Sequence, residues 1–117
     1  MFDLVSHDPF NDGFLTYGKN VTQYEGKKSI GKKFEPSGTM AFTEMSARDQ
    51  DYSLVDALSG TLDLKLKTMY PMHMEPNLIN KMPVRVKGTE YETIKVDRDR
   101  NKEHLFWYLQ KVGVVVE

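Results

Sequence analysis

The chain has 117 residues, 16 Lys+Arg against 17 Asp+Glu and a formal net charge of -1, which suits one domain with its own core. With no cysteine it excludes disulfides, thiolate metal sites and thiol nucleophiles. It also lacks the basic excess of a dedicated nucleic-acid binder, an apolar run near the roughly 20 residues of a membrane span, and a secretory signal at its N-terminus.

Residues 1–17 hold Phe2, Phe10, Phe14 and Tyr17, interrupted by Pro9 and by the turn signal Asn11-Asp12-Gly13. They are expected to form an extended aromatic arm. Whether Phe2, Phe10 and Phe14 lie on a partner or on the chain's own core stays open at this level. Residues 18–44 read as extended, with Val21, Ile30, Phe34, Met40 and Phe42 spread among turn residues. Gly26-Lys27-Lys28 predicts a hairpin tip, because glycine accepts the positive φ of a tight turn. Pro36-Ser37-Gly38 predicts a second break, and residues 39–43 alternate as a strand does.

In residues 45–59 the alternation stops. Polar Arg48, Asp49, Gln50, Asp51 and Ser53 accompany Tyr52, and Leu54 and Leu58 stand at helical i,i+4 spacing. A two-turn helix and a long, mobile polar loop are both compatible with this pattern. Residues 61–68 alternate Leu62, Leu64 and Leu66 with Thr61, Asp63, Lys65 and Lys67, the pattern of a strand buried on one face. Pro71 and Pro76 then forbid a ladder. Val84 and Val86 lead to Gly88-Thr89, read as a type II′ hairpin turn, and the slip between Tyr91 and Ile94 predicts a β-bulge. After a charged turn at 97–102, Leu105, Phe106, Trp107, Tyr108 and Leu109 are apolar on both faces, as a central strand is.

These segments predict a mainly β protein: a small antiparallel β-barrel over 18–112 with a long loop at 45–59, an arm at 1–17, a tail at 113–117 and at most one short helix. The expected core is Leu62, Leu64, Leu66, Val84, Val86, Ile94, Val96, Leu105, Trp107 and Leu109.

Candidate chemistry is sparse. Asp97, Asp99 and Asn101 have the rhythm of a calcium loop, but its sixth position is Lys102 rather than Gly and its twelfth is Tyr108 rather than Glu. A solvated charged turn is the better reading. Met69, Met72, His73 and Met74 suggest a soft-metal cluster, yet methionine more often fills irregular contacts. His7, His73 and His104 are far apart in sequence, and no nucleophile elbow, phosphate loop or His-Glu-x-x-His pattern occurs. No catalytic, metal or cofactor site is expected, and no enzymatic activity. Lys27, Lys28, Lys32 and Lys33, flanked by Tyr24 and Phe34, form a local basic stretch. It could meet DNA phosphates or an acidic protein, but lysines also keep an exposed hairpin soluble, and that reading is preferred.

The order of features is a basic hairpin, the Gly38-Thr39-Met40-Ala41-Phe42 strand, a polar stretch, the Leu62-Asp63-Leu64-Lys65-Leu66 strand, a Pro-rich link, and then Val84-x-Val86-x-Gly88-x-x-Tyr91-x-x-Ile94-x-Val96 with a charged turn and a last apolar strand. Over residues 18–112 this resembles the head-closure (stopper, or head–tail joining) proteins of long-tailed phages. The resemblance implies a structural virion protein: a small β-barrel forming a twelve-fold ring beneath the portal and adaptor, closing the DNA channel after packaging and offering a tail attachment surface. Its channel-closing loop would be residues 45–59, with Arg48, Asp49, Gln50, Asp51, Tyr52 and Ser53 toward the axis. Expected partners are further copies of the chain, portal, adaptor and tail proteins and packaged DNA, with no membrane and no cofactor. Expected locations are the virion and, during assembly, the host cytoplasm. Tail-terminator and minor capsid proteins share the motif. A different class also stands open: a small β-barrel gripping single-stranded nucleic acid through the four lysines and their aromatics.

Overall fold

The computed structural model describes residues 10–70, 82–101 and 103–114. Phe2, His7, Met72, His73, Met74 and the last three residues lie outside them. Among the described residues are six strands and one helix: β1 (Gly13–Glu25), β2 (Lys28–Met45), α1 (Asp49–Ala57), β3 (Leu64–Met69), β4 (Pro83–Val86), β5 (Thr89–Arg98) and β6 (His104–Val114). All pairings are antiparallel, and the strands close into a barrel in the order β1-β2-β3-β6-β5-β4. The mainly β architecture is therefore as the alternating segments predicted.

Alternation builds the interior. Leu64, Leu66 and Thr68 of β3 face Leu109, Trp107 and Leu105 of β6, while Leu15 and Tyr17 of β1 face Val86 and Val84 of β4. Leu15, Phe42, Leu66, Val84, Val86, Leu105, Trp107 and Leu109 form the buried core, with Leu64, Tyr91 and Val96 packed against it. Trp107 is wholly buried, and its indole N–H donates to Thr68 Oγ1 at 2.9 Å, so the polar handle of the largest core side chain is satisfied.

Several local expectations change. The β4–β5 turn has Lys87 (φ 49°) and Gly88 (φ 79°) as its central residues, both left-handed, which is a type I′ turn rather than the expected II′ at Gly88-Thr89. Pro36-Ser37-Gly38 is no break: β2 runs through it, and a register shift against Tyr17 and Gly18 absorbs the extra residue as a bulge. Glycine is needed at position 18, where a Cβ would collide with the Glu35 backbone. The predicted bulge in β5 falls at Ile94, between the Thr93–Leu109 and Lys95–Tyr108 pairs. It moves Ile94 out of the barrel core and into a second cluster. The first strand begins at Gly13, inside the expected arm, and β6 runs to Val114, past the expected end of the barrel.

Two departures matter most for function. Residues 45–59 contain a helix rather than a mobile loop, packed on the barrel's outer wall through Val55 with Leu62, Ile94 and Tyr108. The β1–β2 hairpin also outgrows the barrel. Barrel neighbours pair with β1 only at Leu15, Thr16 and Tyr17, and with β2 only from Phe42 to Met45. Residues 18–36 pair only with each other and form a two-stranded ribbon that projects beyond the barrel. The molecule measures 64 × 29 × 25 Å, with a radius of gyration of 15.8 Å against roughly 13 Å for a compact chain of this length.

Candidate functional site

Two surface features stand out: the ribbon, and the flank of the barrel where α1 sits. The ribbon's sequence fits a free element. Register pairs Val21 with Lys33 and Thr22 with Lys32, so strand alternation puts Lys32 and Lys33 on opposite faces, while Lys27 and Lys28 cap the turn. All four are exposed. Gly26 at φ 65° is the first central residue of the turn. Tyr24 (64% exposed) and Ile30 (54%) are bare apolar groups at the same end. Phe34 is anchored instead, since the Arg85 guanidinium lies 4.3 Å above its ring.

On the barrel flank, Arg48 stands at the N-cap of α1. The Arg48 backbone N–H donates to Asp51 Oδ2 at 2.9 Å, one half of a capping box. The reverse half needs an acceptor at the cap, and a guanidinium has none. Asp51 points inward, is 3% exposed, and receives the Lys65 ammonium at 2.9 Å. Lys65 is also buried, its Nζ lying 5.4 Å from the Tyr108 ring and 5.7 Å from the Phe106 ring. Burial alone would raise the Asp51 pKa. The Arg48 backbone N–H, the Lys65 ammonium and the Arg48 guanidinium outweigh it and hold the carboxyl at about 2. Burial, then the charges of Asp51 and Asp97, push the Tyr108 hydroxyl up to about 12.

Asp51 is thus not an exposed loop-tip residue free to pair with a neighbouring copy, as the loop reading expected; it fastens α1 to the barrel. Arg48, Asp49, Gln50, Tyr52 and Ser53 remain exposed. The inward helix face is Asp51 and Val55 rather than the Leu54–Leu58 stripe, and Leu58 is half exposed. No apolar count could find this face, because its first anchor is an ion pair.

Beside α1 lies a cleft of about 230 Å³ lined by Glu44, Met45, Ala47, Tyr52, Leu62, Asp63, Leu64 and Lys65. Its rim is acidic, with Glu44 and Asp63 exposed, and together with burial these two carboxylates raise the Tyr91 pKa. Its lining is more polar than apolar, with Met45, Ala47, Tyr52, Leu62 and Leu64 beside the two carboxylates and Lys65, and Tyr52 is 49% exposed. Of the expected arm residues, Phe10 lies 5.8 Å from His104 and from the Lys67 ammonium, against the chain's own barrel, whereas Phe14 is exposed. Between β5 and β6, Asp99 Oδ1 accepts the Glu103 and His104 backbone N–H groups and Oδ2 meets His104 Nδ1 at 2.9 Å. The carboxylate closes the β5–β6 turn, which accounts for the proximity of Asp99, Glu103 and His104 without an ion. No family model and no curated protein sequence matches this chain.

Proposed function

We propose that this chain is a structural assembly protein that forms a ring in the head–tail connector of a long-tailed phage. The observation that carries the reading is the ribbon. An isolated two-stranded hairpin is marginal in water, and this one holds Tyr24 and Ile30 bare beyond the barrel. Such an element gains its order-keeping contacts from a neighbour, and a ring supplies identical neighbours. In this reading the exposed side of α1, with Arg48, Asp49, Gln50, Tyr52 and Ser53, faces the channel or the next subunit as a fixed helix. Mixing the chain with portal complexes and imaging them by negative stain tests it. Ring density on the tail-side face of the portal is the expected result, and unchanged portals would sink the proposal.

A second reading draws on the ribbon's five lysines, residues 19, 27, 28, 32 and 33, against Glu25 and Glu35. It makes the chain a nucleic-acid-binding module with the ribbon as its grip. Steeply salt-dependent affinity of the isolated chain for single-stranded DNA, abolished by Lys32→Glu with Lys33→Glu, would favour it over the connector.

A further inference from the structure

We infer that the ribbon tip of one copy docks in the acidic cleft beside α1 of the next copy, a head-to-tail contact that rests on the ring reading above and assigns its surfaces. Three observations carry it. The first is charge. The ribbon's excess of three positive charges leaves the rest of the chain at -4, against a whole-chain net of -1. Glu44 and Asp63 concentrate part of that acid at the cleft rim. The second is surface chemistry. The tip combines Lys27 and Lys28 with exposed Tyr24 and Ile30, and the cleft combines the two carboxylates with Met45, Tyr52, Leu62 and Leu64. A ligand that bound phosphate alone would have no use for the apolar side chains of either surface; a protein interface uses aromatic anchors inside a polar rim.

The third is position. Lys28 begins β2 and Met45 ends it, so tip and cleft stand at opposite ends of one extended strand. At about 3.3 Å per residue they are roughly 55 Å apart, in a molecule 64 Å long. They cannot meet within one chain. Between copies the contact is heterologous, and repetition of a heterologous contact generates a ring when its rotation closes.

The natural absence of cysteine makes the test direct. Lys28→Cys and Glu44→Cys are placed in two full-length chains of different mass and mixed with a short bis-maleimide. Glu44 is preferred to Asp63, because Asp63 Oδ2 also receives the Lys111 backbone N–H at 2.7 Å. The mixed product should exceed either self-linked product by about tenfold and fall with added salt. Lys27→Glu with Lys28→Glu should abolish capture by an unmodified cleft, and Glu44→Lys in the partner should restore part of it. Equal yields of all products, or none, would overturn the docking. On portal complexes, rings whose Lys28→Cys and Glu44→Cys sites do not link would refute this contact and leave the ring standing. Linking in solution with no ring on portals would uphold the contact and refute the connector reading.

Discussion

Two buried threonines show how little residue type decides without its partner. Thr68 and Thr93 are both fully buried in the barrel wall. Thr68 Oγ1 accepts from the Trp107 indole and donates to the Met69 carbonyl at 3.1 Å. The Thr93 hydroxyl has no partner among the described residues. Replacing either by valine removes a hydroxyl at nearly constant volume, so the two changes should differ in sign. Thr68→Val strands the indole N–H in the core and should cost about 1–3 kcal/mol. Thr93→Val removes a desolvated hydroxyl and should be neutral or stabilise by up to about 1 kcal/mol. Urea unfolding of both variants decides it, and equal destabilisation would contradict the assignment. Trp107→Ala, which empties the centre of the core, should cost about 3–5 kcal/mol and leave so small a domain largely unfolded in a thermal melt.

At the scale of elements, α1 depends on one ion pair. Lys65→Met should destabilise by about 3 kcal/mol, because it leaves the Asp51 carboxylate buried without its ammonium partner. The double variant Asp51→Leu with Lys65→Met should recover most of that loss, and additive costs in the double-mutant cycle would refute the coupling. The pH dependence follows from the same geometry. The folded-state pKa of Asp51 lies below the ordinary aspartate value of 3.8, at about 2. Its contribution, on the order of 2 kcal/mol, is present above pH 3.8 and disappears as pH falls toward 2. Tyr108 is raised from 10.0 to about 12, so its contribution is present below pH 10 and disappears as pH rises toward 12. Acid and alkaline melts monitored at the Trp107 emission check both limbs, and Asp51→Asn should flatten the acid one. This element also marks the limit of sequence reading. Leu66, Val84 and Val86 announced their inward face by alternation, Leu105, Trp107 and Leu109 stood in a strand apolar on both faces, and all six are in the barrel core. Lys65 alternates just as well as a solvated residue and is buried, because Asp51, 14 residues upstream, covers it with a carboxylate. Leu15 and Phe42 escaped the expected core because turn residues surround them, and long-range pairing with β4 and β3 buries them all the same.

For the whole molecule, the barrel and the ribbon should be separable. Folding energy comes chiefly from apolar surface removed from water, and the buried core lies between Leu15 and Leu109 within the barrel, with no member from the projecting part of β1 and β2. Lys19 and Glu35 are direct partners across the ribbon. Replacing residues 20–34 by Asn-Gly therefore joins a matched pair through a two-residue type I′ turn, the connection best suited to the right-handed twist of the strands. The shortening forfeits the Arg85–Phe34 contact, worth about 0.5–1 kcal/mol at an exposed site, and shortens a loop, whose closure changes stability only slowly with length. The truncated chain should melt cooperatively within a few degrees of the full one, about 4–8 °C per kcal/mol being the usual conversion for a domain of this size. Its hydrodynamic radius should fall as the long axis disappears, and it should no longer populate rings on portal complexes. Loss of cooperative melting would make the ribbon part of the folding unit. Normal rings from the truncated chain would show that assembly uses another surface.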